Sequence, residues 1–161
     1  MAIRNILTSE DPVLRKTSRP VTNFDKRLHI LLDDMADTLR EAAGAGLAAP
    51  QVGVLRRVCI VDLGDDDGLT ELVNPEIVSA EGRQEGREGC LSVPGVAAVV
   101  ARPERVTVRA RDRRGNEFTT TGEGLRARAY CHEIDHLDGK LYTEDVIRYL
   151  TEEEMAEGGE E

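Results

Sequence analysis

The chain has 161 residues, about the length of one domain, with 40% hydrophobic and 32% charged residues. This balance is typical of a soluble globular protein and excludes a disordered or membrane-embedded chain. The net charge of −10 and the scarcity of aromatic residues (Phe 2, Tyr 3, Trp 0) argue against nucleic acids or anionic membranes as direct partners.

The first predicted element is an amphipathic helix within residues 22–43. Apolar side chains recur there at steps of three and four residues: Leu28, Leu31, Leu32, Met35 and Leu39. Thr22 and Asp25 resemble a capping box at its start, and Gly44 and Gly46 lie where it should end. This pattern predicts an element whose main role is packing.

Short extended segments follow this helix. Residues 58–61 predict a strand, and the acidic segment 64–68 predicts a solvated turn, because it lacks the ligand spacing of a calcium loop. Asn74 and Pro75 indicate a turn or bulge within extended chain. Alternating side chains over residues 104–121 predict a hairpin that turns at residues 113–116.

A second helix is predicted from about residue 124 to residue 137, ended by Asp138-Gly139. Two separate helices among antiparallel strands indicate an α+β fold, with an N-terminal helix and sheets around a central helix. We expect one catalytic domain over residues 1–150, followed by an acidic tail over residues 151–161 that frays.

Three cysteines in a chain without a visible export signal favour reduced thiols and a cytoplasmic location. The longest apolar run, residues 96–101, is far too short to span a bilayer.

The second predicted helix carries a metal-binding pattern, His-Glu-Ile-Asp-His at residues 132–136. Residues four apart on a helix lie about 40° from eclipsed, so His132 and His136 can face one metal ion. Glu133 is rotated about 100° from His132, which sets its carboxylate beside the ion, where it can accept a proton from water.

Two imidazoles leave a metal site incomplete, and a thiolate is the candidate third ligand. Cys59 lies in an apolar strand pattern typical of a core thiol, and Cys131 points about 100° away from His132. Cys90, flanked by glycine and close to Pro94, is the leading candidate, although spacing alone does not decide between the three.

A glycine-containing segment, residues 44–51, lies between the first helix and the first strand. It lacks the Gly-Lys-Ser/Thr of a phosphate-binding loop. It would instead let backbone amides approach a ligand and place Gln51 as a hydrogen-bond donor.

Three segments in this order closely resemble the peptide deformylases: GxGLAAxQ at residues 44–51, EGCLS at residues 88–92 and HExDHLxG at residues 132–139. The resemblance extends over nearly the whole chain. It implies an α+β, cytoplasmic metallo-hydrolase that releases formate from the N-terminal formyl-methionine of new polypeptides.

The resemblance also implies residue roles. Metal ligands would be Cys90, His132 and His136, and Glu133 would be the general base and then the general acid. The oxyanion would be held by Gln51 and the backbone amide of Leu91. Substrate contacts would come from Ala45, Gly46, Glu88, Gly89 and Leu125.

The implied cofactor is one divalent metal, Fe²⁺ in cells, with Zn²⁺, Ni²⁺ or Co²⁺ after purification. The implied partners are N-formyl-methionyl nascent peptides, with a transient contact to the ribosome.

The sequence departs from the family pattern at a few positions. Ala45 replaces a bulky apolar residue, Gly86 and Arg87 stand where an apolar pocket residue is common, and Cys131 replaces a glutamine. Residues 96–100 lack a common Arg or Tyr, and the long basic C-terminal helix of some members is missing. These changes predict a wider pocket and a less strict preference for methionine.

Three alternatives remain open at this point. The first is a formyl-amide hydrolase with a diverged pocket and a different N-formyl substrate. The second is a zincin-type metalloprotease, whose third ligand would have to follow His136. The third is a purely structural metal site, which would need a fourth protein ligand.

Overall fold

A computed structural model of the chain describes residues 2–157. Within this range, the helices are α1 (Lys26–Ala42), α2 (Leu125–Leu137) and α3 (Glu152–Glu157). The strands are β1 (Gly46–Ala48), β2 (Val58–Asp62), β3 (Leu69–Glu81), β4 (Gln84–Cys90), β5 (Val93–Arg102), β6 (Arg105–Arg111), β7 (Glu117–Glu123) and β8 (Val146–Tyr149).

The strands form two antiparallel sheets. The larger has the order β1-β2-β3-β6-β7, and the smaller has the order β4-β5-β8. Seven strands follow one another between α1 and α2, and the paired strands are antiparallel, so the predicted α+β fold is confirmed.

The five-stranded sheet lies between α1 and α2. Alternate residues of a strand point to opposite faces, and β2 uses both. Cys59 and Val61 join the apolar cluster under α2, whereas Val58 and Ile60 join the cluster under α1. This double burial explains why residues 58–61 are apolar without alternation.

Helix α1 confirms the predicted amphipathic helix, but its start differs from the prediction. Asp25 is the N-cap residue, and its carboxylate accepts a hydrogen bond from the Leu28 backbone N–H. The expected capping box led by Thr22 is therefore wrong, because the chain is still extended there. The helix ends through Ala43, whose left-handed backbone (φ 55°) lets the Gly44 N–H bond to Leu39 O.

The predicted bulge at Asn74 and hairpin at residues 104–121 are both present. Asn74 has φ 50°, and the pairing of β3 with β6 shifts register between Val73 and Glu76. The Asn74 side chain exchanges two hydrogen bonds with the backbone of Val21, which ties this bulge to the N-terminal segment. Strands β6 and β7 form the hairpin.

Helix α2 is the central helix and is buried on almost every side. It packs against β1, β2, β6 and β7. It ends at Leu137, and two residues later Gly139 has φ 76° and no Cβ, where a Cβ would lie 2.6 Å from Arg15 O. This glycine is needed both for its backbone conformation and for the close approach of the N-terminal segment.

The C-terminal part of the chain contains more structure than the sequence predicts. Strand β8 pairs with β5, and residues 152–157, which we expected to fray, form α3. Glu154 closes the turn before α3 by accepting from Thr151 N–H and by pairing with Arg148. The last residues of the predicted tail, 158–161, lie outside the described range.

Among residues 2–157, no helix combines the length and the apolar character that crossing a membrane requires.

The buried carboxylate of Asp34 makes stability depend on pH. It accepts hydrogen bonds from Ala2 N–H (2.7 Å) and Arg4 Nε–H (2.9 Å). Burial raises the pKa of Asp34, but these bonds and the charge of Arg4 outweigh it and hold the pKa below its usual range. The ionised group therefore stabilises the fold above its unfolded pKa of about 3.9, and this contribution is lost as pH falls through the folded value.

We expect Asp34→Asn to lower the free energy of unfolding at pH 7 by about 1–2 kcal/mol. The difference from the wild type should shrink when urea unfolding is repeated below about pH 3. An equal deficit at both pH values would contradict this assignment.

Candidate metal centre and its pocket

One cluster of potential metal ligands lies where α2 meets the end of β4. Donor atoms of Cys90, His132 and His136 all lie within 4.8 Å of one another. Cys90 Sγ is 3.4 Å from His136 Nε2. The structure thus brings together the two helix histidines and the strand cysteine that the sequence favours.

The ring of His132 is held in one orientation. Its Nδ1–H donates to Glu88 Oε1 at 2.9 Å, which leaves Nε2 as the atom free to bind a metal. The ring of Tyr142 stacks on the His132 ring, with centroids 5.9 Å apart. A fixed tautomer and a fixed ring are what a metal ligand needs.

The other two cysteines are unsuited to this role. Both are buried in the apolar cluster under α2. Burial raises the pKa of Cys59 well above its usual value and raises that of Cys131 to about 11. These thiols are therefore core residues, as their sequence patterns predict.

The donor set fits a divalent transition metal. A cysteine sulfur and two imidazoles are the ligands that zinc and iron accept in catalytic sites, and three protein ligands leave one position open. Within residues 2–157, His136 Nδ1 and Glu133 Oε1 are buried without a hydrogen-bond partner. Such unpaired polar atoms beside three converging donors indicate a site shaped for an ion and its solvent.

Glu133 faces the pocket opposite Gly46. A Cβ placed on Gly46 would lie 2.5 Å from Glu133 Oε2, so only glycine allows this approach. Burial raises the pKa of Glu133 to about 7. A carboxyl group of this kind can both accept and return a proton near neutral pH.

Gln51 is almost fully buried, and its amide is held at both ends. Its Oε1 accepts from Ala48 N–H at 2.9 Å, while Nε2–H₂ donates to Ser92 Oγ (3.0 Å) and to Cys90 Sγ (3.6 Å). The amide donor is therefore fixed beside the ligand cluster. Ser92 is a supporting residue that the sequence reasoning missed, although it belongs to the EGCLS segment.

A buried ion network surrounds Glu88. Arg102 donates two hydrogen bonds to it, each 2.8 Å long, and a third to Asp135 at 2.7 Å. Arg128 donates to it at 2.7 Å. Burial raises the pKa of Glu88, but the bonds from Arg102 and His132 outweigh it and lower the pKa to about 2. Because both of its oxygens serve this network, Glu88 orients His132 as well as lining the pocket.

The cluster opens into a cavity of about 1120 Å³. All five residues expected to contact the substrate line it: Ala45, Gly46, Glu88, Gly89 and Leu125. Gln51, Leu91 and Glu133 line it as well, next to the ligands. Leu150 and Met155 of the C-terminal segment line it too.

The pocket is not widened at Gly86 in the way that the sequence suggests. A Cβ there would lie 2.8 Å from Arg128 Nη2, so the guanidinium of Arg128 occupies this space. The expectation of extra room at Gly86 is wrong, because the side chain that fills it comes from α2, 42 positions further along the chain.

Comparisons with known proteins point in one direction. Residues 3–151 match the polypeptide deformylase family. Peptide deformylase of Caldicellulosiruptor bescii is 59% identical, over 96% of this chain and 92% of its own length. Peptide deformylase 1 of Bacillus subtilis is 49% identical, over 98% of each chain. The crystal structure of a peptide deformylase from Legionella pneumophila aligns with a TM-score of 0.87 at 48% identity, covering 99% of this chain and 92% of the other.

Proposed function

This chain belongs to the polypeptide deformylase family, and we propose that Cys90, His132 and His136 hold its metal, with Glu133 as the proton-transfer group. The protein is a metal-dependent hydrolase that removes the formyl group from N-terminal formyl-methionine of peptides. The observation that carries the residue assignment is the convergence of one sulfur and two imidazoles beside a buried carboxylate with an unpaired oxygen.

A divalent cation bound by these ligands supplies Lewis acidity and makes water a competent nucleophile near neutral pH. Glu133 accepts the proton of the attacking water at its carboxylate and returns it to the departing amine nitrogen. The C–N bond of the formyl amide breaks, and formate and a free N-terminus leave.

Negative charge develops on the formyl oxygen during the attack. Gln51 Nε2–H and the backbone N–H of Leu91 are the donors we assign to this oxygen, and both residues line the cavity beside the ligands. Gln51 is already held by Ala48 and Ser92, so little reorganisation is needed when the charge appears.

The peptide itself lies along the same cavity. We assign its backbone pairing to Gly46, with Ala45, Gly89 and Leu125 as further walls. Gly46 belongs to β1, a strand at the edge of the larger sheet, and such an edge can accept an extended peptide.

The reaction is tested by comparing two substrates with and without a chelator. Purified protein should release formate from a formyl-Met-Ala peptide and leave casein intact, and chelation should abolish formate release. Cleavage of casein would instead support the metalloprotease alternative.

That alternative is disfavoured because Cys90 precedes the helix, whereas a zincin takes its third ligand from a later segment. A formyl-amide hydrolase with a different N-formyl substrate and a purely structural metal are likewise not favoured by the relatives.

We propose Fe²⁺ as the metal in cells, with Zn²⁺, Ni²⁺ or Co²⁺ as possible occupants after purification. Metal analysis of anaerobically purified protein tests this directly. An iron-loaded site that contains a thiolate is open to oxygen, so activity should decay in air and persist after exchange to nickel. Equal decay with both metals would count against iron.

We further propose that the protein acts in the cytoplasm on nascent N-formyl-methionyl peptides, as one catalytic domain over residues 1–150, with a transient contact to the ribosome. The family match over residues 3–151 supports the domain limits. Co-sedimentation with translating and with empty ribosomes tests the contact. Binding to neither would remove it from the proposal.

A further inference from the structure

We propose that Arg128 is a positioning residue, which fixes His132 through Glu88 and depends on Gly86 for its own place. The proposal rests on the assignment of His132 as a metal ligand. It concerns how firmly the ligand set is held, rather than the reaction itself.

The guanidinium of Arg128 is buried, with 6% of its side chain exposed. Nη1–H₂ donates to Glu88 Oε2 at 2.7 Å and to the carbonyl oxygens of Val100 (3.1 Å) and Gly86 (3.3 Å), and Nη2–H₂ donates to Gln84 Oε1 at 3.2 Å. A cation held by acceptors on β4 and β5 is fixed in place, because each bond restricts a different direction of motion.

Gly86 makes this position possible. Its missing Cβ would lie 2.8 Å from Nη2 and 3.2 Å from Cζ of Arg128. Any larger residue at position 86 would therefore push the guanidinium away from Glu88. Gly86 and Arg128 form a sterically matched pair across the seam between β4 and α2.

Charge balance explains why a second guanidinium is needed. The network contains two carboxylates, Glu88 and Asp135, and Arg102 contacts both of them. With Arg128 present, two positive charges oppose two negative charges. Without it, Arg102 alone faces both carboxylates, and Glu88, whose side chain is only 3% exposed, loses one of its two guanidinium partners.

Loss of Arg128 would affect His132 through the carboxylate of Glu88, which both residues contact. Glu88 Oε2 accepts from Arg128, while Oε1 accepts from His132 Nδ1. Arg128 therefore holds Glu88 Oε2, the oxygen that does not contact His132. Glu88 in turn orients the His132 ring. Without Arg128, the Glu88 carboxylate can rotate or bind water. The His132 ring is then no longer held in one orientation.

The test uses two substitutions that disturb the same contact from opposite sides. Arg128→Met removes the guanidinium and keeps most of the stem, whereas Gly86→Ala leaves Arg128 intact but displaces it. The readout is the rate at which nickel-loaded protein transfers its metal to a chromogenic chelator. Each variant should release the metal about tenfold faster than the wild type.

The double variant is decisive, because both changes break one contact. Arg128→Met with Gly86→Ala should release metal no faster than the quicker single variant. Arg105→Met is the matched control, since Arg105 forms an exposed ion pair with Glu123 on the hairpin and should release metal at the wild-type rate.

Wild-type release rates in both single variants would overturn the proposal, as would strictly additive effects in the double variant. A raised KM with an unchanged release rate would mean that Arg128 only lines the pocket. Failure of the loaded wild type to release formate would contradict the proposed function instead, so the two results stay distinguishable.

Discussion

Replacing Glu133 by alanine should lower kcat for formate release by about 10²–10⁴-fold while the protein keeps its metal. Glu133 lies one residue from His132 but points into the cavity, where one of its oxygens has no partner among residues 2–157. Alanine removes the group to which we assign proton transfer, and it leaves Cys90, His132 and His136 in place. Metal content by elemental analysis and kcat by formate release are measured on the same sample.

Two variants sharpen this test. Glu133→Gln keeps the shape of the side chain but cannot accept the proton, so it should be nearly as inactive as the alanine variant. Glu117→Ala on the exposed face of β7 should leave kcat unchanged. Full activity of Glu133→Ala with a full complement of metal would show that another group is the base.

Replacing Gln51 by leucine should lower kcat by about 10²–10³-fold. The loss would follow from removing the amide donor that we assign to the charge developing on the formyl oxygen, and that lies 3.6 Å from Cys90 Sγ. The effect should fall mainly on kcat, because this bond strengthens as the charge appears.

Leucine at this position also leaves Ala48 N–H and Ser92 Oγ without their partner. Urea unfolding of the variant should accompany the kinetics, with assays run well within the folded range. Ser92→Ala is the companion variant, since it frees the Gln51 amide without deleting it and should lose less activity. A kcat for Gln51→Leu within threefold of the wild type would remove Gln51 from the oxyanion role.

Local patterns predicted the elements that carry the chemistry. The periodicity of residues 28–39 predicted α1, and His132 with His136 predicted a metal-binding face on α2. Both helices and the closeness of the two histidines are confirmed, because helical geometry fixes which neighbours share a face, whereas metal binding there stays a prediction. The exact helix start did not follow, because Thr22 and Asp25 both suit a cap by residue type, and the structure uses Asp25, whose carboxylate accepts from Leu28 N–H.

The ion network could not be predicted in the same way. Arg102, Arg128 and Asp135 lie 14, 40 and 47 positions from Glu88, and nothing in their local sequence marks them as partners. The error at Gly86 has the same origin. A missing side chain leaves empty space only where no neighbouring side chain fills it, and the local sequence does not show those neighbours. Here Arg128 fills the space beside Gly86.

The position of Cys90 has a consequence for how the protein comes apart. Cys90 ends β4 in the smaller sheet, whereas both histidines belong to the helix packed on the larger sheet. An ion bound by these three proposed ligands would therefore act as a cross-link that closes the chain between residues 90 and 132 and joins the two layers. Removal of the ion should first weaken the contact between the smaller sheet and α2. Limited proteolysis of the metal-free form should therefore begin in β4 and β5.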